Sequence, residues 1–248
     1  MDKTRCRTLH SEELLGYLEL VACITLLDFN EGHENLGVEE LEKAACSLGH
    51  TVQRIDVRRG EVLPDSVEAV LASGGPGSPL EDGPWTAPLL HWFAARVEEG
   101  TPVLAICFGY QMLVRATGGS LEPLSTSRFG IAPIAPTAAG KQDVWLSRGL
   151  PSSGFFQHAW GVAQGGEALA KGPSGDLTAS RFGDKAVGCM FHPEAGPDAV
   201  KTWFENPRVA QKLVDRMDAT ARAALQARLP TLAPAHEGLL LGFLSSLP

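Results

Sequence analysis

One stretch constrains the fold of this chain more than any other: Thr101-Pro-Val-Leu-Ala-Ile-Cys107-Phe108-Gly109-Tyr110-Gln111-Met-Leu. Residues 102–106 form a short apolar run, the length of a strand buried on both faces of a parallel sheet. Residues 110–114 then read as the start of a helix. Cys107 therefore falls on a tight turn between a strand end and a helix N-terminus, where backbone N–H groups and the helix dipole favour a thiolate. This is the logic of a nucleophile elbow, with sulfur in place of the serine oxygen. A buried Cys alone is more often inert core, so the reading depends on partners elsewhere in the chain.

The rest of the chain extends the same alternation. Residues 20–27 are apolar and β-branched and predict the first buried strand, 51–57 the second and 69–73 the third. Val38, Leu41, Ala44, Ala45 and Leu48 recur at helical spacing up to Gly49, a natural stop. Residues 85–97 are amphipathic and end at Gly100. Strands alternating with helices imply a parallel, doubly wound sheet. From Gly118 to Met190 the pattern changes to short strands between Gly and Pro turns, at 129–134, 155–158, 177–182 and 186–190. That stretch predicts an antiparallel extension of the same sheet, within one domain. Beyond His192 the chain reads as helical over 198–204 and again from Pro207 to about Leu229. Residues 230–248 read as an apolar tail packed on the domain, too short to span a bilayer.

Composition removes several classes of function. A net charge of −8 offers no electrostatic footprint for nucleic acid or an anionic membrane. The five cysteines are odd in number and include no C-x-x-C pair, which argues against a disulfide framework and for a reducing compartment. No basic region leads into a signal-type apolar core, so the expected location is the cytoplasm. No His, Cys and Asp cluster has ligand spacing, so neither a metal nor another cofactor is expected.

A reactive Cys107 needs a base, a group that orients the base, and donors for an oxyanion. His192 and Glu194, in Phe-His-Pro-Glu, follow the predicted strand 186–190 and fall at its end. His192 could exchange a proton with the thiol, and Glu194 could fix its tautomer and stabilise its positive charge. Gly74-Gly75-Pro76-Gly77 follows another buried strand at the same edge, where glycines let backbone N–H groups approach a carbonyl oxygen. The Gly75 and Phe108 N–H groups are the candidate oxyanion donors. His33 and Glu34, in the loop after the first strand, read as solvated loop residues.

Ile-Cys107-Phe-Gly109-Tyr-Gln111, Phe-His192-Pro-Glu194 and Ser73-Gly-Gly75-Pro-Gly77-Ser-Pro together resemble the class I (triad) glutamine amidotransferases, in order and in spacing. Within that family the chain looks nearest to the amidotransferase module of guanosine monophosphate synthetase and its free-standing relatives. The resemblance covers roughly residues 20–204. It implies a flavodoxin-like three-layer α/β sandwich with a mostly parallel central sheet, over 1–204 with an N-terminal extension at 1–18 and a helical extension at 205–248. It also implies that Cys107 attacks the side-chain amide of glutamine to give a γ-glutamyl thioester and ammonia, with His192 and Glu194 completing the triad. Gly77, Gln111, Gln157, Ala159 and Trp160 would line the substrate pocket, while His158 is given a structural role. Two positions depart from the family pattern: Ala105 where Gly is usual, and Trp160 where Asp is frequent. No P-loop or other nucleotide-binding signature is present, so a separate synthetase partner would receive the ammonia. A γ-glutamyl hydrolase or peptidase acting through the same triad is the alternative.

Overall fold

The computed structural model describes residues 21–30, 37–149, 151–196 and 218–247 apart from 232, together with 199, 201, 205–207, 211 and 215. Its centre is one ten-stranded sheet whose main path runs β2-β1-β3-β4-β10-β9-β7-β5. The parallel half consists of β1 (Cys23–Asp28), β2 (Thr51–Asp56), β3 (Ala69–Ala72) and β4 (Val103–Ile106), and β10 (Ala186–Cys189), parallel to β4 but antiparallel to its other neighbour, opens the antiparallel half. Every residue of β3, β4 and β10 is buried, as continuous apolar runs covered on both faces require.

Helices α1 (Val38–Ser47), α2 (Thr86–Glu98) and α3 (Phe108–Ala116) follow β1, β3 and β4. From β1 the chain crosses to β2 on one side, and from β3 it crosses to β4 on the other. Right-handed crossovers in opposite directions place α1 and α2 on opposite faces of the sheet. They also leave a crevice at the C-terminal ends of β1 and β3, where an open α/β sheet binds its ligands. α1 stops where the sequence predicts, with Gly49 left-handed at φ 87° and its N–H bonded to the Cys46 carbonyl.

The antiparallel half is longer than the sequence suggests. β5 runs over Ser120–Pro133 and pairs with β7, Ser153–Gln164, while β9 is Leu177–Phe182. β6 (Ala135–Pro136) and β8 (Glu167–Lys171) extend it, and neither is predicted from the sequence. Pro123, Pro133 and mixed burial hide the length of β5, because prolines and weak alternation read as turns. The first strand likewise begins at Cys23 rather than at residue 20.

A short helix α4 (Ala138–Gln142) is capped by the Thr137 hydroxyl, which accepts from the Gly140 N–H at 3.0 Å. α5 (Ala219–Arg228) starts after Asp218, which lies outside any helix, so the stretch from Pro207 is not one continuous helix. Much of 198–204 and 208–217, expected as helical, lies outside the described residues, as do His33 and Glu34.

α6 (Ala233–Leu244) is a structural member of the core. Leu239, Leu240, Phe243 and Leu244 join the buried cluster formed by the strands. Long-range bonds fix it: Trp145 Nε1 donates to the Leu239 carbonyl at 3.1 Å, His50 Nε2 lies 3.1 Å from the Leu244 carbonyl oxygen, and His236 Nε2 lies 3.3 Å from the Ser153 carbonyl oxygen. Among the described residues no helix is long and apolar enough to cross a membrane.

Candidate active site

Cys107 occupies the link between β4 and α3. Its φ of 49° and ψ of −104° make it the one described non-glycine residue with positive φ. Such a conformation costs about 1–3 kcal/mol and persists only where surroundings enforce it. Here the Cys107 N–H donates to the Cys189 carbonyl at 2.7 Å, and the Gly109 N–H donates to the Ser73 carbonyl at 3.1 Å. A Cβ at Gly109 would stand 2.8 Å from the Ala72 carbonyl oxygen, so glycine is what lets the elbow settle on β3. The thiol lies 3.7 Å from the Gln157 carbonyl oxygen, to which it donates.

His192 and Glu194 come from the turn after β10, the strand hydrogen-bonded beside β4. His192 Nδ1 lies 2.7 Å from Glu194 Oε1, and both side chains are buried. Burial alone would push the imidazolium down. The Glu194 carboxylate, the hydrogen bond with Cys107 and the hydrogen bond to Glu194 together outweigh it and raise the His192 pKa to about 10. The second carboxylate oxygen of Glu194 is buried and has no hydrogen-bond partner among the described residues. Gly37, at the N-terminus of α1, lies directly against this carboxylate.

A cavity of about 310 Å³ opens beside the thiol. Cys107, Gln111, His192, Gly75, Gly77, Gln157, Ala159 and Trp160, all singled out from the sequence, line it. Phe108 begins α3 beside it; its side chain is buried, and its N–H belongs to a first helical turn that has no intrahelical acceptor. Gln111 Nε2 donates to the Trp160 carbonyl at 3.0 Å, and His158 Nδ1 lies 2.8 Å from the same oxygen. Trp160 therefore takes part in the wall through its backbone.

Burial drives His158 down to about 4, against the raising effect of that carbonyl, which leaves a neutral imidazole beneath the pocket. Ala105, the departure from the family pattern, pairs across the sheet with Gly188 and is fully buried, so its methyl fits where it falls. Cys189 is one strand over, donates to the Phe191 carbonyl at 3.3 Å, and burial pushes its thiol well up.

Some contributors escape a reading of the sequence. Asn30 lines the cavity after β1, held by Asp28 Oδ1 at 3.0 Å and facing the Gly74 carbonyl at 3.5 Å. Its place in the polar loop after the first strand was the available signal. Behind His158 a bidentate pair, Arg128–Asp176 at 2.9 Å on both bonds, is nearly buried, and the guanidinium covers the Phe156 ring at 5.2 Å. These two residues are 48 positions apart, and nothing local connects them. Among the described residues no group of three or more His, Cys, Asp or Glu is placed to hold a metal ion.

A thiol on a strand–helix elbow and an imidazole bound to a buried carboxylate thus meet at one small cavity on an α/β sheet, and these are the groups that attack by sulfur on an amide requires. Comparison with known proteins narrows the class. The profile of the class-I glutamine amidotransferases matches residues 26–206, and the chain belongs to that family. It is 31% identical over 163 residues to a glutamine-hydrolysing GMP synthase from Rhodopseudomonas palustris, covering 60% of this chain and 27% of that protein. A GMP synthase from Parafrankia sp. is 29% identical over 182 residues, covering 69% of this chain and 31% of its own length. The chain thus spans about a quarter to a third of these relatives. A glutamine amidotransferase structure from Thermotoga maritima superposes with a TM-score of 0.76 at 20% identity, over 90% of this chain and 96% of the other. One from Methylobacillus flagellatus gives 0.77 at 19%, over 92% and 96%. The fold is therefore the flavodoxin-like α/β sandwich of this family.

Proposed function

We propose that this chain hydrolyses the side-chain amide of glutamine through Cys107. The observation that carries the reading is the convergence of the strained Cys107 elbow with the buried His192–Glu194 pair at one cavity. Cys107 Sγ attacks the amide carbon, and the negative oxygen is held by the Gly75 and Phe108 N–H groups. Imidazolium at His192 gives its proton to the departing nitrogen, the C–N bond breaks, and ammonia leaves a γ-glutamyl thioester. Water then attacks the thioester carbon while His192 takes its proton, and glutamate and the free thiol are restored. The Glu194 carboxylate holds the ring and stabilises its positive charge. Gln111, Gln157, Ala159 and Trp160 hold the amino-acid end of the substrate, with Gly77 at the loop side.

A cavity of about 310 Å³ lies at the lower end of small-molecule sites, which favours a single amino acid over a γ-glutamyl peptide. Relatives named as glutamine-hydrolysing GMP synthases support delivery of the ammonia to a synthetase partner. The test is glutamate and ammonia release from glutamine by the purified chain beside Cys107→Ala, with γ-glutamyl dipeptides as competitors. Turnover that depends on Cys107 is expected. Hydrolysis of dipeptides but not of glutamine would replace this reading with a γ-glutamyl peptidase.

A further inference from the structure

Arg58, two residues beyond β2, lies outside the triad and the cavity, yet it touches both halves of the candidate oxyanion hole. Its Nη2 donates to the carbonyl of Pro76, the residue after Gly75. Its guanidinium carbon lies 4.5 Å from the ring centroid of Phe108, whose N–H is the other candidate donor, and 5.4 Å from that of Trp85. Phe29, Trp85 and Phe108 form one aromatic cluster, with centroid separations of 5.3 to 6.3 Å. The Gly75 backbone rests on this cluster, since a Cβ there would lie 2.6 Å from Phe29 Cβ. A Cβ at Gly77 would lie 3.3 Å from Arg58 Nη2, so the guanidinium runs along the loop.

We infer that Arg58 is a positioning residue: it holds the Gly75–Gly77 loop at a fixed distance from the first turn of α3, and so sets the spacing of the two oxyanion donors. The chemical reason is that a peptide unit pinned at its carbonyl cannot rotate freely. The Pro76 carbonyl shares its peptide unit with the Gly77 N–H, so a charged donor there fixes the loop two peptide units beyond the Gly75 N–H, and the ring-locked φ of Pro76 carries that restraint back toward Gly75. The planar guanidinium does this while stacked on aromatic rings, an arrangement an ammonium does not reproduce. Arg58 acts only where an oxyanion develops. This role rests on the glutaminase reading above.

The test compares wild type, Arg58→Met and Arg58→Lys in three measurements. Steady-state glutamine hydrolysis is expected to show kcat lowered about 10- to 100-fold in Arg58→Met, with KM within about threefold, the signature of an interaction made mainly in the transition state. Arg58→Lys should recover part of that loss, because it keeps the charge but not the planar stack. The second measurement is inhibition by glutamate γ-semialdehyde. Its aldehyde carbon accepts Cys107 Sγ and its oxygen takes up the thiol proton or stays anionic, so the adduct oxygen sits where the oxyanion would. Its affinity should fall in proportion to kcat. The third is alkylation of Cys107 by iodoacetamide, in which sulfur displaces iodide and no oxyanion forms; its rate should match wild type. Unchanged kcat in Arg58→Met overturns the role. So does a loss of alkylation equal to the loss of kcat, which would mark general damage to the elbow. A wild-type chain that alkylates at Cys107 but never hydrolyses glutamine overturns the glutaminase reading itself, and the Arg58 role with it.

Discussion

In the parallel half of the sheet, β3 and β4 end in a glycine loop and a helix N-terminus, so what they offer the cavity is backbone N–H groups and one thiol. In the antiparallel half, β7 runs along the cavity and offers carbonyls and side chains, and the turn after β10 offers an imidazole and a carboxylate. The first half supplies groups whose placement follows from crossover geometry and needs few specific partners. The second supplies ionisable groups that must be held by other buried charges, as His192 is by Glu194 and Arg128 by Asp176. The two meet at the β4–β10 pair, where the Cys107 N–H binds the Cys189 carbonyl. Backbone-built parts should tolerate titration and fail by steric insult. Charge-built parts should fail by titration or neutralisation.

Cys107→Ala tests the parallel half most severely, and glutamine hydrolysis should fall by about 10⁴-fold or more while thermal unfolding stays near wild type. A comparable loss of stability would mean that the thiol is structural. For the antiparallel half, Glu194→Gln should cost about 10²- to 10⁴-fold in kcat. It should also lower the His192 pKa from about 10, because the carboxylate is the leading group that raises it. The sign for stability follows: with a folded value above the ordinary 6.5, the His192 contribution is complete below pH 6.5 and lost as pH rises through about 10. Melting temperature against pH should therefore fall on the alkaline side in wild type and flatten in Glu194→Gln.

Asp176→Asn leaves Arg128 charged, nearly buried and unpaired, and a loss of about 3–5 kcal/mol in chemical denaturation is expected. A loss under 1 kcal/mol would show that water reaches the guanidinium. His158 gives the opposite sign to His192: with its folded value lowered to about 4, its contribution is complete above pH 6.5 and lost as pH falls toward 4. The loss should reach about 3 kcal/mol at pH 4, seen as acid sensitivity that His158→Gln removes. The smallest effect crosses between the halves. Gly37 has φ 91°, and a Cβ there would lie 2.7 Å from Glu194 Oε1. Gly37→Ala should cost about 1–3 kcal/mol and lower kcat by displacing the carboxylate. Unchanged kcat would separate α1 from the role proposed for Glu194.

Much of the parallel half was legible because its signals are local. A buried parallel strand is a short apolar run, and the helices between carry a 3.6-residue period ended by glycine, as at Gly49. The motifs around Cys107, Gly75 and His192 were legible for the same reason, each sitting at one strand end. β8 was missed because Glu-Ala-Leu-Ala-Lys has no strand signature, and its strand state comes from pairing with β9. α6 falls within the stretch expected as a helical extension packed on the domain, but its bounds were not legible, because Gly-Leu-Leu-Leu-Gly-Phe-Leu is apolar on all sides and has no face to detect.

The sequence by itself determined the alternation of strands and helices, the elbow, and most of the residues that gather at the cavity, since these depend on neighbours a few positions away. Tertiary structure alone decided which charges face each other. Arg128 meets Asp176 across 48 positions, His50 meets the Leu244 carbonyl across 194, and Arg58 reaches the Pro76 carbonyl from another strand end. Such pairings depend on the register of β5 on β7 and on the docking of α6, and in the unfolded chain these groups are solvated separately. Their partners are chosen only when burial removes that water and leaves each polar group to find another.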